Sequence, residues 1–381
     1  MLRRRQTPIP PIQKLSKSSS SLPSSSKTRR PLLFLKPTVS SPDGEWKPLL
    51  NMGISELSLP LTFPTGQTFT WKQTASTQFT GVLNSHLLSL RQLQDGSISY
   101  LLHRTCFSSP SLSKDEAFAM DSLKDFMNLQ VSLGELWAEF SEADSRFAEL
   151  APHMSGARVL RQDPLECLFQ FLCSSNNNIP RITQMVSYLS SLGPYLASVG
   201  GFKFHAFPSL ERLSQVSEEE LRKAGFGYRA KYIVDAVAVL QSKPGGGAEW
   251  LLSLRTLELQ EVTDALLGLP GVGPKVAACV ALFSLDQHHA IPVDTHVWQI
   301  AKRYISPELE GATLTPKLSR HVAEAFVMKF GKYAGWAQTV LFIGELSSQK
   351  ALLPVHLHCD KATEASSKKL VTSKNKRKSR A

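Results

Sequence analysis

The stretch Leu269-Pro270-Gly271-Val272-Gly273-Pro274-Lys275-Val276-Ala277-Ala278-Cys279 decides how the rest of the chain is read. Before it, Thr263 to Gly268 (TDALLG) ends on a glycine that can stop a helix; after it, VAACVALF continues as an apolar helical run. Gly271 and Gly273 allow backbone conformations that other residues resist. Pro274 suits the first turn of a helix, where its missing N–H costs nothing. The unpaired N–H groups of such a turn point outward and favour an anion.

Helix, tight turn, helix with outward N–H groups is the helix-hairpin-helix pattern, which grips a nucleic-acid phosphate without reading sequence. An ordinary helix–helix connection explains the turn alone equally well. Lys275 weighs against that reading. It lies at a helix N-terminus, whose positive end disfavours a protonated amine, and a neutral amine can attack carbon. A charged phosphate-binding lysine is the plainer alternative. Nineteen residues on, His288 to Trp298 (HHAIPVDTHVW) places Asp294 after an apolar Ile-Pro-Val, as N-cap of a helix beginning near Thr295. Capping alone would explain that aspartate. Hairpin, lysine and aspartate together point to chemistry.

The chain has 381 residues, 42% of them hydrophobic, enough for a sizeable core and more than one domain. Its net charge of +11 is concentrated at the ends. Residues 1–42 hold nine Lys/Arg and no acid, and residues 361–381 hold eight Lys/Arg and one acid, so the body between them carries −5 (the total less +9 and +7). The ten serines and the prolines of 1–42 suit a disordered basic arm or, by composition, a mitochondrial or plastid transit peptide. Lys374 to Arg380 (KNKRKSR) reads as a nuclear localisation signal or a phosphate-binding tail. The five cysteines (Cys106, Cys167, Cys173, Cys279, Cys359) form no CxxC and suit a reducing compartment. The apolar run Val276 to Leu285 is too short to cross a bilayer, so no membrane association is expected.

The pattern changes along the chain. From about 46 to 115 apolar and polar residues alternate, in LSLPLTF (57–63), TFTWKQ (68–73) and LLSLRQL (87–93), and Asp95-Gly96 marks a two-residue hairpin. From about 117 the period is helical, in LGELWAEF, LECLFQFLC, ITQMVSYLSSL and YIVDAVAVL. Ser217 and Glu220 form an expected capping box. The expected fold is α+β: a basic arm over 1–45, an antiparallel-sheet domain with a first helix over 46–150, an all-α helix-hairpin-helix domain over 151–355, and a basic tail over 356–381.

LPGVG at 269–273, Lys275 and Pro292-Val293-Asp294 together resemble the signature of helix-hairpin-helix DNA glycosylases. Ser174 to Ile179 (SSNNNI), Gly227 to Ala230 (GYRA) and Ala334 to Gln338 (AGWAQ) narrow the resemblance to the eukaryotic 8-oxoguanine DNA glycosylase/AP lyase family, over about 46–350. The resemblance implies Lys275 as the nucleophile that forms a Schiff base at C1′, and Asp294 as the carboxylate that stabilises the sugar cation. It implies that the Gly66 carbonyl accepts the N7–H of 8-oxoguanine, that Cys279 and Phe342 sandwich the flipped base, and that Gln338 bonds its Watson–Crick edge. Asn176, Arg181 and Arg229 would hold the orphaned cytosine, with Tyr228 as wedge, while Gly271, Gly273 and His296 would meet phosphates. The implied substrate is duplex DNA containing oxidised guanine; the implied enzyme is a monomer without cofactor or metal, located in the nucleus. Pro274 and Ala278 depart from the animal members, which have a small polar residue and an acid there. An iron–sulfur relative is excluded, because only Cys359 follows Cys279. The competing class is a non-catalytic DNA-binding module.

Overall fold

The computed structural model describes residues 45–50, 53–105, 108 and 112–358. The expected arm and tail fall almost wholly outside these residues, as do Cys106 and Cys359.

Five strands form one antiparallel sheet in the order β1-β5-β4-β3-β2, with β1 Lys47–Leu50, β2 Lys72–Ala75, β3 Gln78–Leu83, β4 His86–Gln92 and β5 Ile98–Leu102. Alternation assigns the faces. Leu88 and Leu90 of β4 join the core beneath the helix Leu112–Phe126, while Leu87 points the other way. Trp71 lies flat over Gly81, where an added Cβ would fall 2.3 Å from the indole, and stacks between Phe63 (4.3 Å) and Phe126 (5.7 Å).

Two local expectations are corrected. LSLPLTF is not a strand: Leu59–Thr62 is a short helix continuing into a 3-10 turn at Phe63–Thr65. Pro60 and Pro64 each fall in the first turn of these pieces, where a fixed φ favours helix and a missing N–H would break a ladder. The hairpin at Asp95-Gly96 has a three-residue loop. Leu93 N–H donates to Ser97 O, Gly96 N–H donates to Leu93 O, and Gly96 takes the left-handed φ of 84° that closes such loops.

The helical half packs around a core drawn from Val131 to Leu357 and joined by Phe69 from the sheet half. The helices Leu133–Ala143 and Ser145–Leu150 belong to that core. Their Phe140 and Phe147 meet Phe330 of the helix Pro316–Phe330, and Trp137 packs edge-on against Phe147. Ser217 caps its helix by accepting from Glu220 N–H, but the Glu220 carboxylate accepts from the Tyr188 hydroxyl instead of closing the expected box. Inside the helical half lies a second hairpin, β6 Tyr195–Val199 with β7 Phe202–His205. Its turn, Gly200-Gly201, has positive φ at both residues, and this dipeptide is the sequence signal that marks it. Leu196, Phe204 and Ala206 cover Leu87 on the outer face of the sheet. Sheet and helices are thereby joined on both sides.

Candidate active site

The hairpin is built as its sequence dictates. The helix Leu259–Leu267 ends at Gly268, and Leu269 and Val272 plug the turn into the core. Gly271 has φ of 78°, and a Cβ there would meet Tyr232 Cβ at 2.5 Å, so only glycine fits. Gly273 differs from expectation. Its φ of −100° and ψ of 177° are ordinary extended backbone, and nothing lies within 4 Å of an added Cβ. It is N-cap of the helix Pro274–Ser284 and offers no side-chain cap, so the N–H groups of the first turn are left for an outside partner.

Lys275 is half-buried on that first turn. Its Nζ lies 3.5 Å from Ser174 Oγ and 5.2 Å from the centre of the Phe171 ring. One turn on, Cys279 is buried. Burial pushes its thiol up, against the opposing charge and hydrogen bond of Lys275. Asp294 caps the helix Thr295–Ile300 as expected: one carboxylate oxygen accepts from both His296 N–H and Val297 N–H at 2.9 Å.

Two cavities meet at these residues. A narrow pocket is bordered by Gly66, Lys275, Cys279, Asp294, Gln338 and Phe342, among others. An open cleft shares Gly66, Phe171, Lys275, Asp294 and Phe342 with it and extends along Ser174 to Ile179 and Gly273. Gln338 is 4% exposed and lines the pocket from the helix Ala334–Glu345. Gly66 has φ of 85° and closes the 3-10 turn at the pocket wall. His296 is exposed at the cleft, edge-on to Phe342 at 6.0 Å.

The second group of expected residues sits along the cleft and beside it. Asn176 is exposed with a left-handed φ of 44°. Asn178 caps the helix Ile179–Ser191, and exposed Arg181 on its first turn donates to Gly225 O at 3.1 Å. Tyr228 is 45% exposed and donates to Ser175 O at 3.1 Å. Arg229 is turned toward the protein. It is only 2% exposed; its guanidinium donates to the Ser175 and Asn176 carbonyls and lies over the Tyr228 ring. It shapes the loop that carries Asn176 rather than standing free in solvent.

Sequence reasoning missed Phe171, Ser174, Gln67 and Phe283. Phe171 and Phe283 sit in apolar helical runs and look like plain core. Gln67 is 1% exposed and donates to Thr62 O and Arg158 O while accepting from Leu160 N–H, which fixes the turn carrying Gly66.

Family comparison agrees with this geometry. Residues 49–168 match the 8-oxoguanine DNA glycosylase N-terminal domain, and residues 169–324 match the HhH-GPD superfamily of base excision DNA repair proteins. The chain belongs to the 8-oxoguanine DNA glycosylase family. Within that family it is 64% identical to the N-glycosylase/DNA lyase OGG1 of Arabidopsis thaliana over 310 residues, covering 81% of this chain and 82% of that one. It is 35% identical to the N-glycosylase/DNA lyase of Saccharomyces cerevisiae over 325 residues, covering 77% and 84%. A solved 8-oxoguanine glycosylase/lyase from Clostridium acetobutylicum, in complex with duplex DNA holding cytosine opposite 8-oxoguanine, superposes with a TM-score of 0.65 at 25% identity. That match covers 78% of this chain and 93% of that one. Sheet domain, hairpin and pocket are therefore features of a glycosylase.

Proposed function

We propose that this enzyme flips 8-oxoguanine out of duplex DNA opposite cytosine, releases it through a lysine Schiff base, and then nicks the strand. The observation that carries the reading is the place of Lys275, at the edge shared by the narrow pocket and the open cleft. A base in the pocket and its backbone in the cleft would bring the sugar between them to the amine. The Lys275 nitrogen attacks C1′ as the bond from C1′ to the base breaks; the electron pair of that bond leaves with the base, which takes up the proton that the amine gives up. The sugar ring opens to an iminium. That iminium acidifies the C2′ proton, whose loss expels the 3′ phosphate by β-elimination. Asp294 stabilises positive charge at the sugar.

Selection belongs to the pocket. Guanine N7 is an acceptor, so the Gly66 carbonyl would repel guanine and accept the N7–H of the oxidised base. Gln338 bonds the base edge, and Cys279 with Phe342 closes the two faces. Gly271, Gly273 and His296 meet phosphates. Asn176, Arg181 and Tyr228 face the opposite strand, with Arg229 holding their loop. We assign the enzyme to the nucleus as a monomer. Among the described residues no helix is long and apolar enough to cross a membrane. A non-catalytic clamp is disfavoured, because a clamp has no use for an amine at the edge of a pocket.

Borohydride trapping on duplexes with 8-oxoguanine opposite each of the four bases tests this. The expected result is a covalent adduct strongest opposite cytosine and absent in Lys275→Gln. An adduct that survives Lys275→Gln would sink the mechanism.

A further inference from the structure

Beneath the pocket lies a buried amide relay that the reaction itself does not use. Gln162 is 2% exposed and bonds two walls at once. Its main-chain N–H donates to Phe283 O at 2.7 Å, on the helix that carries Lys275 and Cys279. Its side-chain amide donates to Gln67 O at 2.6 Å, one residue from Gly66. Gln170, fully buried, holds Gln162 from behind. Its Nε2 donates to Gln162 Oε1 at 3.1 Å and to Glu166 Oε1 at 3.2 Å, and its Oε1 accepts from Phe69 N–H at 2.7 Å. Every amide in the relay has partners, and a fully satisfied buried network is rigid.

We infer that Gln162, held by Gln170, is a specificity-determining positioning residue: it sets the spacing between the Gly66 carbonyl and the helix bearing Lys275 and Cys279. This rests on the reading of Gly66 as the carbonyl that meets N7–H. The two walls belong to segments far apart in sequence, and Gln162 is a direct strut between them. Loss of its side chain removes a partner from the Gln67 carbonyl and frees the neighbouring peptide to turn. A carbonyl displaced by about an ångström no longer separates N7–H from bare N7, and misplacement on that scale costs about a hundredfold. Lys275 is carried by its own helix and is untouched, so chemistry that needs no base should persist.

The test compares 8-oxoguanine excision with cleavage at a preformed abasic site, which has no base to recognise. It uses full-length Gln162→Met and Gln170→Met under single-turnover conditions. Gln170→Met perturbs the strut without removing it, so it serves where Gln162→Met does not fold. The expected result is a fall of at least about fivefold in the ratio of base excision to abasic-site cleavage. A smaller change in that ratio, including equal losses of both activities, overturns the inference. If the unaltered protein excises 8-oxoguanine no faster than guanine, it is the reading of Gly66 that fails.

Discussion

Ser174 Oγ lies 3.5 Å from Lys275 Nζ, although 101 residues separate the two in the chain. The serine ends the buried helical run of Phe171, and the ring and hydroxyl together aim the amine at the pocket mouth. Ser174→Ala should keep the covalent adduct but slow its formation by about three- to tenfold, the worth of one hydrogen bond near 1 kcal/mol. Single-turnover trapping rates check this. An unchanged rate would make the contact a resting-state feature only.

Asp294 serves two purposes that one substitution separates. Its single acceptor oxygen caps both His296 N–H and Val297 N–H. Asn can keep that oxygen and lose the charge. Asp294→Asn should therefore cost under about 1 kcal/mol in thermal stability and about 10²–10³ in excision rate. Comparing melting curves with excision rates separates cap from charge. Full activity would leave Asp294 as a cap alone.

The two hairpin glycines should respond in opposite ways. Gly271→Ala places a Cβ 2.5 Å from Tyr232 Cβ at a left-handed φ of 78°, so it should destabilise the fold by roughly 1–3 kcal/mol. Gly273→Ser fits the extended N-cap and should melt no lower than the unaltered protein, because serine caps well. It should still weaken duplex DNA binding, since its side chain would stand where a phosphate must approach the first-turn N–H groups. Undiminished binding by Gly273→Ser would place the phosphate elsewhere.

Glu166 links stability to pH. Burial, with the nearby Asp163 charge, pushes its carboxyl up to about 8, against the Thr70 hydroxyl that donates to it at 2.9 Å. The folded protein thus keeps a proton that the unfolded chain loses near 4.5. Where the folded state binds more protons, stability falls as pH rises. The contribution is fully present below pH 4.5 and is lost as pH climbs through about 8. Glu166→Gln should flatten the decline in melting temperature between roughly pH 5 and 8 and melt higher than the unaltered protein at pH 8. An identical pH profile in the variant would show that another group carries the dependence.

Much of this was written locally. The caps at Asp294 and Ser217, the helix stop at Gly268 and the alternation of β4 follow from interactions within a few residues, which the sequence displays directly. The union of hairpin, Lys275 and Asp294 was legible for the same reason: one helix and one short loop separate them. Even local reading failed where two signals competed, as at Leu57 to Phe63, where alternation suggested a strand and the prolines favoured a helical turn. What only the tertiary structure decided is which distant segments share the pocket wall. Gly66, Phe171, Cys279, Gln338 and Phe342 meet because sheet and helices pack on both faces. Arg229 turns inward because the carbonyls of Ser175 and Asn176 come within its reach. Periodicity records which face of an element is apolar. It does not record which other face will cover it, and complementary packing across a hundred residues settles that.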